Sequence, residues 1–332
     1  MTVASICPVR DCGPDAALDN ASDVPDLERY SRRHGDVSCQ PERRQGQWHL
    51  APMSQPDIAA AGFRGQDSCM EHVDVDGLRI AYTALGSGPP LVLLHGAPSD
   101  SRIWQWMLPN LSRDHTVIAW DAPGFGESSN IDDSWRAPQF ADALAAFIAA
   151  IGLEQAHLVG HSFGTMVALS LFQRRPKDAA SLVLIGGYAG WAGSLPPNEV
   201  ARRLAMFHSM ADLGDAFDPK AYPGLFSDLI PADRDATLAS MMRENIRPAT
   251  IRAAGYIGAE TDLRPVLPTI DVPTLILHGA ADARSPLANA EALHAAISPS
   301  QLVVLPGLGH ACVVEDPETC AAEISRFLQT VG

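Results

Sequence analysis

The fold of this chain is decided by the stretch Ala156-His157-Leu158-Val159-Gly160-His161-Ser162-Phe163-Gly164, which continues into Thr165-Met166-Val167-Ala168-Leu169. The apolar residues before Gly160 predict a short buried strand, and the Ala/Leu/Met-rich residues after Gly164 predict a helix. The G-x-S-x-G between them predicts a sharp turn, and glycine suits its flanks because the helix returns close to the strand. Ser162 is therefore expected above the sheet edge at a helix N-terminus, where unpaired N–H groups and the helix dipole favour negative charge.

This motif needs support from its context, because glycine is abundant, with 26 in 332 residues. The chain is 46% hydrophobic and 19% charged, which is enough apolar material for a packed core. Its formal net charge of −15 argues against nucleic acid and anionic membranes as partners. We predict a cytoplasmic protein, because the chain shows neither an apolar run long enough to cross a membrane nor a secretory signal.

The six cysteines are scattered and lack the spacing of a disulfide framework or a zinc site. We therefore expect no metal and no cofactor. Residues 1–69 are rich in Asp, Arg, Pro, Ser and Gln and show no sustained periodicity. They predict a mostly disordered N-terminal extension, with an interaction or regulatory tail as the alternative, and the folded domain is expected to begin at Met70.

From residue 70 onward, strands and helices alternate, which predicts a mainly parallel α/β sheet. The predicted strands are 71–75, 78–84, 91–94, 116–120, 156–159, 181–185, 274–277 and 301–305. The predicted helices between them are 101–111, 138–151, 163–174, 286–296 and 317–330. Residues 186–271 lack a strong strand, and a structureless loop of that length is improbable in a compact domain. They predict a helical insertion after the sixth strand, with helices at 199–210 and 234–244, while 70–185 and 272–332 form the core.

A serine hydroxyl is a weak nucleophile and needs a base held by a third group. In parallel sheets, reactive side chains gather on loops at the carboxyl ends of the strands. The loop after strand 301–305 places His310 there, and the loop after strand 274–277 places Asp282 there. We expect both side chains to meet Ser162, because these carboxyl ends share one edge of the sheet.

Five segments carry a family resemblance: His95-Gly96-Ala97-Pro98, Asp121-Ala122-Pro123-Gly124-Phe125-Gly126-Glu127-Ser128, Gly160-His161-Ser162-Phe163-Gly164, His278-Gly279-Ala280-Ala281-Asp282-Ala283-Arg284-Ser285-Pro286, and Gly309-His310. With these segments and the order Ser…Asp…His, residues 71–332 resemble the α/β-hydrolase superfamily. The resemblance is to the branch whose eight-stranded sheet carries a helical cap after the sixth strand.

The resemblance implies that Ser162 is the nucleophile, His310 the general base and then acid, and Asp282 the carboxylate that orients the histidine. It implies an oxyanion hole made by the backbone N–H groups of Ala97 and Phe163. Epoxide hydrolases and haloalkane dehalogenases have an aspartate in place of Ser162, so a route through a carboxylate nucleophile is not expected.

Several neighbouring polar residues are interpreted as structural. His161 and His95 are expected to support the surrounding loops, Asp121 to tie its turn together, and Cys312 to be a small buried residue. For the cap, we expect a mostly apolar pocket over Ser162. Its predicted lining residues are Trp104, Tyr188, Trp191, Met206 and Phe207.

The function predicted is a carboxylesterase acting on a small-molecule ester with an apolar acyl or alkyl group. One alternative is a C–C hydrolase, for which a basic pair, with Arg202, Arg203 or Arg264 as candidates, would hold a substrate carboxylate. A second alternative is a lactonase, and a third is a non-catalytic receptor for a small ligand. The oligomeric state stays open.

Overall fold

The computed structural model describes residues 70–331. The disordered extension predicted for residues 1–69 lies outside the described residues. Eight strands form one sheet: β1 Met70–Val75, β2 Leu78–Leu85, β3 Pro90–Leu94, β4 Thr116–Trp120, β5 Ala156–His161, β6 Ala179–Ile185, β7 Thr274–Gly279 and β8 Ser300–Leu305. Their order is β1-β2-β4-β3-β5-β6-β7-β8.

The strand pairings confirm the predicted mainly parallel α/β sheet. β1 pairs antiparallel with β2 and β2 antiparallel with β4, whereas every pairing from β4 through β8 is parallel. The β1–β2 turn uses Asp76 and Gly77, both at positive φ, which suits a two-residue hairpin. The central strands are buried along most of their length because helices cover the sheet, as at Leu91, Leu93 and Leu94.

Ten helices lie within residues 70–331: α1 Leu108–Leu111, α2 Ala137–Ala150, α3 Phe163–Arg174, α4 Trp191–Ser194, α5 Pro197–Leu213, α6 Ala232–Glu244, α7 Pro248–Glu260, α8 Leu287–Ala296, α9 Cys312–Glu315 and α10 Pro317–Leu328. The continuous helix predicted for 101–111 is wrong. The chain makes a 3₁₀ turn over Ser101–Trp104 and starts α1 afresh. Pro109 explains the break, because proline lacks the N–H that a continuing helix would need.

Residues 186–271, called the insertion below, hold α4 to α7 and no strand. α5 packs against α7, which was not among the helices predicted. Both helices begin with a proline, Pro197 and Pro248, at the position where a missing N–H costs nothing. Asn245, at the end of α6, fastens the insertion to the sheet loops. Its Nδ2 donates to Asp100 Oδ2 at 2.7 Å, and its Oδ1 accepts the N–H of Gly126 at 2.7 Å.

Within residues 70–331, no helix combines the length and the apolar character needed to cross a membrane.

Candidate active site

Ser162 sits in the tight turn between β5 and α3, with φ 51° and ψ −110°. A left-handed φ is costly for a residue with a side chain, so the surroundings must hold it. The N–H of Ser162 donates to Ile185 O at 2.9 Å, which ties the turn to β6. A Cβ at Gly160 would come within 2.6 Å of the backbone of Gly164, and one at Gly164 would overlap the carbonyl of Leu94. The close approach predicted for the two glycines is therefore present.

Ser162, His310 and Asp282 form one chain of hydrogen bonds across three loops. His310 Nε2 lies 3.0 Å from Ser162 Oγ, and His310 Nδ1 lies 2.8 Å from Asp282 Oδ2. An ionised carboxylate can only accept, so Nδ1 carries the proton and Nε2 is left to accept from the serine hydroxyl. This is the arrangement in which an imidazole can remove a proton from serine.

Asp282 is held as a carboxylate despite its burial. Burial alone would raise its pKa, but the neighbouring His310, hydrogen-bonded to it, and the N–H of Ser285 outweigh burial, so the pKa lies below its usual range. Its Oδ1 accepts the backbone N–H groups of Arg284 at 2.8 Å and Ser285 at 2.7 Å. The loop after β7 thus fixes the oxygen that faces His310.

The loop that carries His310 is supported from two sides. His161 Nε2 donates to the carbonyl of His310 at 2.9 Å, and the N–H of Gly309 donates to Glu315 Oε2 at 2.5 Å. Burial and the neighbouring His310 lower the pKa of His161 to about 3. His161 is therefore a neutral structural residue, as predicted from its position beside Ser162.

The backbone N–H groups of Ala97 and Phe163 have no acceptor within residues 70–331. The N–H of Phe163 is the first of α3, where a helix leaves its donors unpaired. Ala97 lines the cavity beside Ser162. Both N–H groups are therefore unpaired hydrogen-bond donors in segments that border Ser162.

His95 and Asp121 hold the neighbouring loops together, as predicted. His95 Nε2 accepts the N–H of Ala122 at 3.0 Å, so its Nδ1 is the donor to Gly96 O at 2.7 Å. Asp121 accepts the N–H groups of Ser101 and Glu127 at 2.8 and 2.9 Å. These bonds set the position of the loop that carries Ala97.

A cavity of about 20 Å³, room for roughly one water molecule, lies beside Ser162. From the core it is lined by the 96–99 loop, Ile103, His161, Arg284 and His310. The insertion contributes four side chains to it: Tyr222, Leu225, Leu238 and Met242. The wall is therefore mostly apolar, and Arg284 is the one arginine among the described residues that line it.

The five side chains predicted to line the pocket do not reach this cavity. Trp104, Tyr188, Trp191 and Phe207 are buried in the core, and Met206 packs against it. The Phe207 ring packs on those of Trp191 and Tyr222, so it lies behind the wall. In so small an insertion, large aromatic side chains such as Trp191 and Phe207 are needed to fill its own core and so do not line the cavity.

The arginines predicted as carboxylate holders are engaged elsewhere. Arg202 and Arg203 pair with Glu199, and Arg264 pairs with Asp262. Arg284, which faces the cavity instead, was missed. The sequence signal that could have identified Arg284 was its position two residues after Asp282, in a loop at the carboxyl end of a strand.

Cys312 is buried, as predicted from the sequence. Its hydrogen bond with Cys320, its burial and nearby acidic groups raise the pKa of its thiol. Residues 70–331 hold no cluster of His, Cys, Asp or Glu side chains suited to a metal ion.

A serine in a strand–turn–helix, with histidine and aspartate on later strand-end loops of a mainly parallel sheet, defines the α/β-hydrolase class of proteins. A family model described as "alpha/beta hydrolase fold" matches residues 89–317, and the chain belongs to that family.

Two curated relatives and one solved structure illustrate the similarity. A pimeloyl-[acyl-carrier protein] methyl ester esterase of Aromatoleum aromaticum is 31% identical over 263 residues, covering 73% of this chain and 98% of the relative. A non-heme haloperoxidase of Rhodococcus erythropolis is 30% identical over 269 residues, covering 77% and 97%. The structure is a thermophilic esterase from Thermogutta terrifontis with malate bound. It has a TM-score of 0.68 and 27% identity and covers 80% of this chain and 99% of that one. Membership of this family supports hydrolase activity.

Proposed function

We propose that this chain is a serine hydrolase that cleaves carboxylic esters of short acyl groups through an acyl-enzyme intermediate. One observation carries the proposal: the hydrogen-bonded chain from Ser162 through His310 to Asp282 ends in a mostly apolar cavity. Esterases among the relatives support the reaction class. The four side chains with which the insertion closes over the cavity support a short acyl group.

In the proposed reaction, Ser162 Oγ attacks the ester carbonyl while His310 Nε2 takes its proton. Asp282 stabilises the imidazolium that forms. The N–H groups of Ala97 and Phe163 bind the oxyanion; in other serine hydrolases, loss of one such donor costs about 3 kcal/mol. His310 returns the proton to the leaving alcohol, and a water then cleaves the acyl-enzyme by the same steps.

The alternatives receive less support. A C–C hydrolase was expected to hold its substrate carboxylate with a basic pair from Arg202, Arg203 or Arg264, and all three pair with acids outside the cavity. Among the described residues that line the cavity, Arg284 is a single arginine and not such a pair. A non-catalytic receptor would not need the aligned Ser162–His310–Asp282 bonds. A lactonase would use the same groups on a cyclic ester, so it differs from the proposal in substrate shape alone.

The test is hydrolysis of p-nitrophenyl acetate, butyrate and octanoate by the wild-type protein, Ser162→Ala and the surface control Ser134→Ala. We expect turnover by the wild type and the control, highest with the two short esters, and none above background by Ser162→Ala. A fluorophosphonate should label Ser162 in the wild type and in Ser134→Ala, and should not label Ser162→Ala. A folded wild type that neither turns over nor is labelled would leave the receptor alternative, and activity in Ser162→Ala would remove Ser162 from the mechanism.

A further inference from the structure

Arg284 is a buried cation that faces the cavity. It lines the cavity together with Ser162 and His310, and only 6% of its surface is exposed. Its guanidinium forms no hydrogen bond or ion pair with any residue from 70 to 331. It stacks on the ring of Tyr222, with Cζ 4.2 Å from the centroid. Such stacking covers one face of the guanidinium and leaves its N–H edge unpaired.

The other buried arginine of this region, Arg203, has hydrogen-bond partners for its guanidinium. Arg203, 4% exposed, donates to Glu199 at 2.6 Å, to the hydroxyl of Tyr188 at 2.8 Å and to the carbonyl of Arg284 at 2.7 Å. Removing a charge from water is costly unless it is paired. Because Arg284 is as deeply buried and has no such partner among residues 70–331, its place in the cavity suits a ligand that brings a negative charge.

The backbone of Arg284 is fixed on both sides. Its N–H donates to Asp282 Oδ1 at 2.8 Å, and its carbonyl accepts from Tyr188 at 2.6 Å and from Arg203. Since Asp282 also orients His310, the Cα of Arg284 is held at a fixed position relative to the proposed reacting groups. Pre-organisation of this kind lowers the cost of binding.

We propose that Arg284 binds a carboxylate of the substrate, so that the ester cleaved is a short one with an anionic group near its reacting carbonyl. The inference rests on the proposed ester hydrolysis and narrows its substrate class. A planar guanidinium matches a carboxylate with two parallel hydrogen bonds. A net charge of −15 gives no general attraction for anions, so the selection is local.

The kinetic test compares esters that differ in one charge. Monomethyl succinate, with its carboxylate on the acyl side, is compared with neutral methyl butyrate. Acetoxyacetate, with its carboxylate on the alcohol side, is compared with neutral ethyl acetate. We expect Arg284→Gln to lower kcat/KM about 30-fold, equivalent to about 2 kcal/mol, for the charged member of one pair. The neutral esters should stay within about threefold, a change of less than 1 kcal/mol. Arg284→Lys should retain part of the preference, because the charge remains and the bidentate geometry is lost.

The control is Arg326→Gln, an exposed arginine on α10 that should leave all four rates unchanged. Equal losses on charged and neutral esters in both pairs would overturn the inference and leave ester hydrolysis standing. Competition by inorganic phosphate that is stronger than by succinate would overturn the choice of a carboxylate.

A binding measurement separates this inference from the reaction itself. Calorimetric titration of Ser162→Ala with succinate needs no turnover, and circular dichroism verifies that each variant is folded. An affinity that falls about 30-fold when Arg284→Gln is added would support the anion site even if the proteins hydrolyse no ester. Equal affinities in folded Ser162→Ala and in the double variant would overturn the inference.

Discussion

At the scale of the residue, Asp282 joins the two parts of the site. One of its oxygens faces His310, and the other accepts two N–H groups from its own loop, including that of Arg284. The same carboxylate therefore orients the proposed base and fixes the backbone of the proposed anion-binding residue. Its lowered pKa keeps it ionised at neutral pH, which sets the proton on His310 Nδ1.

Asp282→Asn tests this orienting role. An asparagine can donate its amide to Nδ1, which would leave the proton on Nε2 and block removal of the serine proton. We expect kcat for p-nitrophenyl acetate to fall about 10⁴-fold, the loss seen when a serine protease is changed in this way, with KM little changed. The control is Asp262→Asn, an acid outside the cavity that pairs with Arg264. A loss of kcat below about tenfold would contradict the orienting role.

At the scale of the element, the sheet and the insertion contribute different things. The loops after β5, β7 and β8 bring Ser162, Asp282 and His310 together at the carboxyl edge of the sheet. The insertion brings Leu238 and Met242 of α6 against the cavity that these residues share. We infer that the sheet provides the reacting groups and that the insertion limits the size of the acyl group.

Leu238→Ala should therefore change substrate preference. Removing the isobutyl group enlarges the cavity wall, and a few methylene groups in an apolar pocket are worth about 1–3 kcal/mol. We expect the ratio of kcat/KM for octanoate over acetate p-nitrophenyl esters to rise roughly tenfold. Leu213→Ala, at the exposed end of α5, is the matched control. If both variants keep the wild-type ratio, α6 does not limit the acyl group.

At the scale of the whole molecule, four buried histidines among residues 70–331 have pKa values below that of an exposed imidazole. They are His95, His157, His161 and His278, and burial is the largest cause of the shift in each of them. In the unfolded chain they take up a proton near pH 6.5. The unfolded state thus binds more protons below that pH, and stability falls as the pH is lowered from about 6.5 toward 3.

The free energy of unfolding in urea, measured at pH 7.0 and 5.5, tests this expectation. His161 alone should cost about 1 kcal/mol over that interval, because its folded pKa of about 3 lies far below the unfolded value. His157→Gln should reduce the difference in unfolding free energy between pH 7.0 and pH 5.5. The matched control is His72→Gln, which changes an exposed histidine. A stability that stays level or rises toward pH 5.5 would show that relief of the acidic surface charge outweighs the histidines.

The sheet and the meeting of Ser162, Asp282 and His310 could be predicted because their signals are local. An apolar strand, the G-x-S-x-G turn, and the His310 and Asp282 loops each involve a few adjacent residues. The rule that parallel strands end at one edge was enough to bring those loops together. The break before Pro109 also had a local cause, although the apolar pattern of 101–111 concealed it.

The sequence by itself determined the α/β architecture and the order of Ser162, Asp282 and His310. Only the tertiary structure decided that Trp104 and Phe207 fill the core, that Leu238 and Met242 line the cavity, and that Arg284 faces it without a partner among residues 70–331. The reason is physical: a turn motif is set by backbone sterics within a few residues. A pocket wall is chosen by the packing of side chains far apart in the chain, where any large apolar residue can take either place.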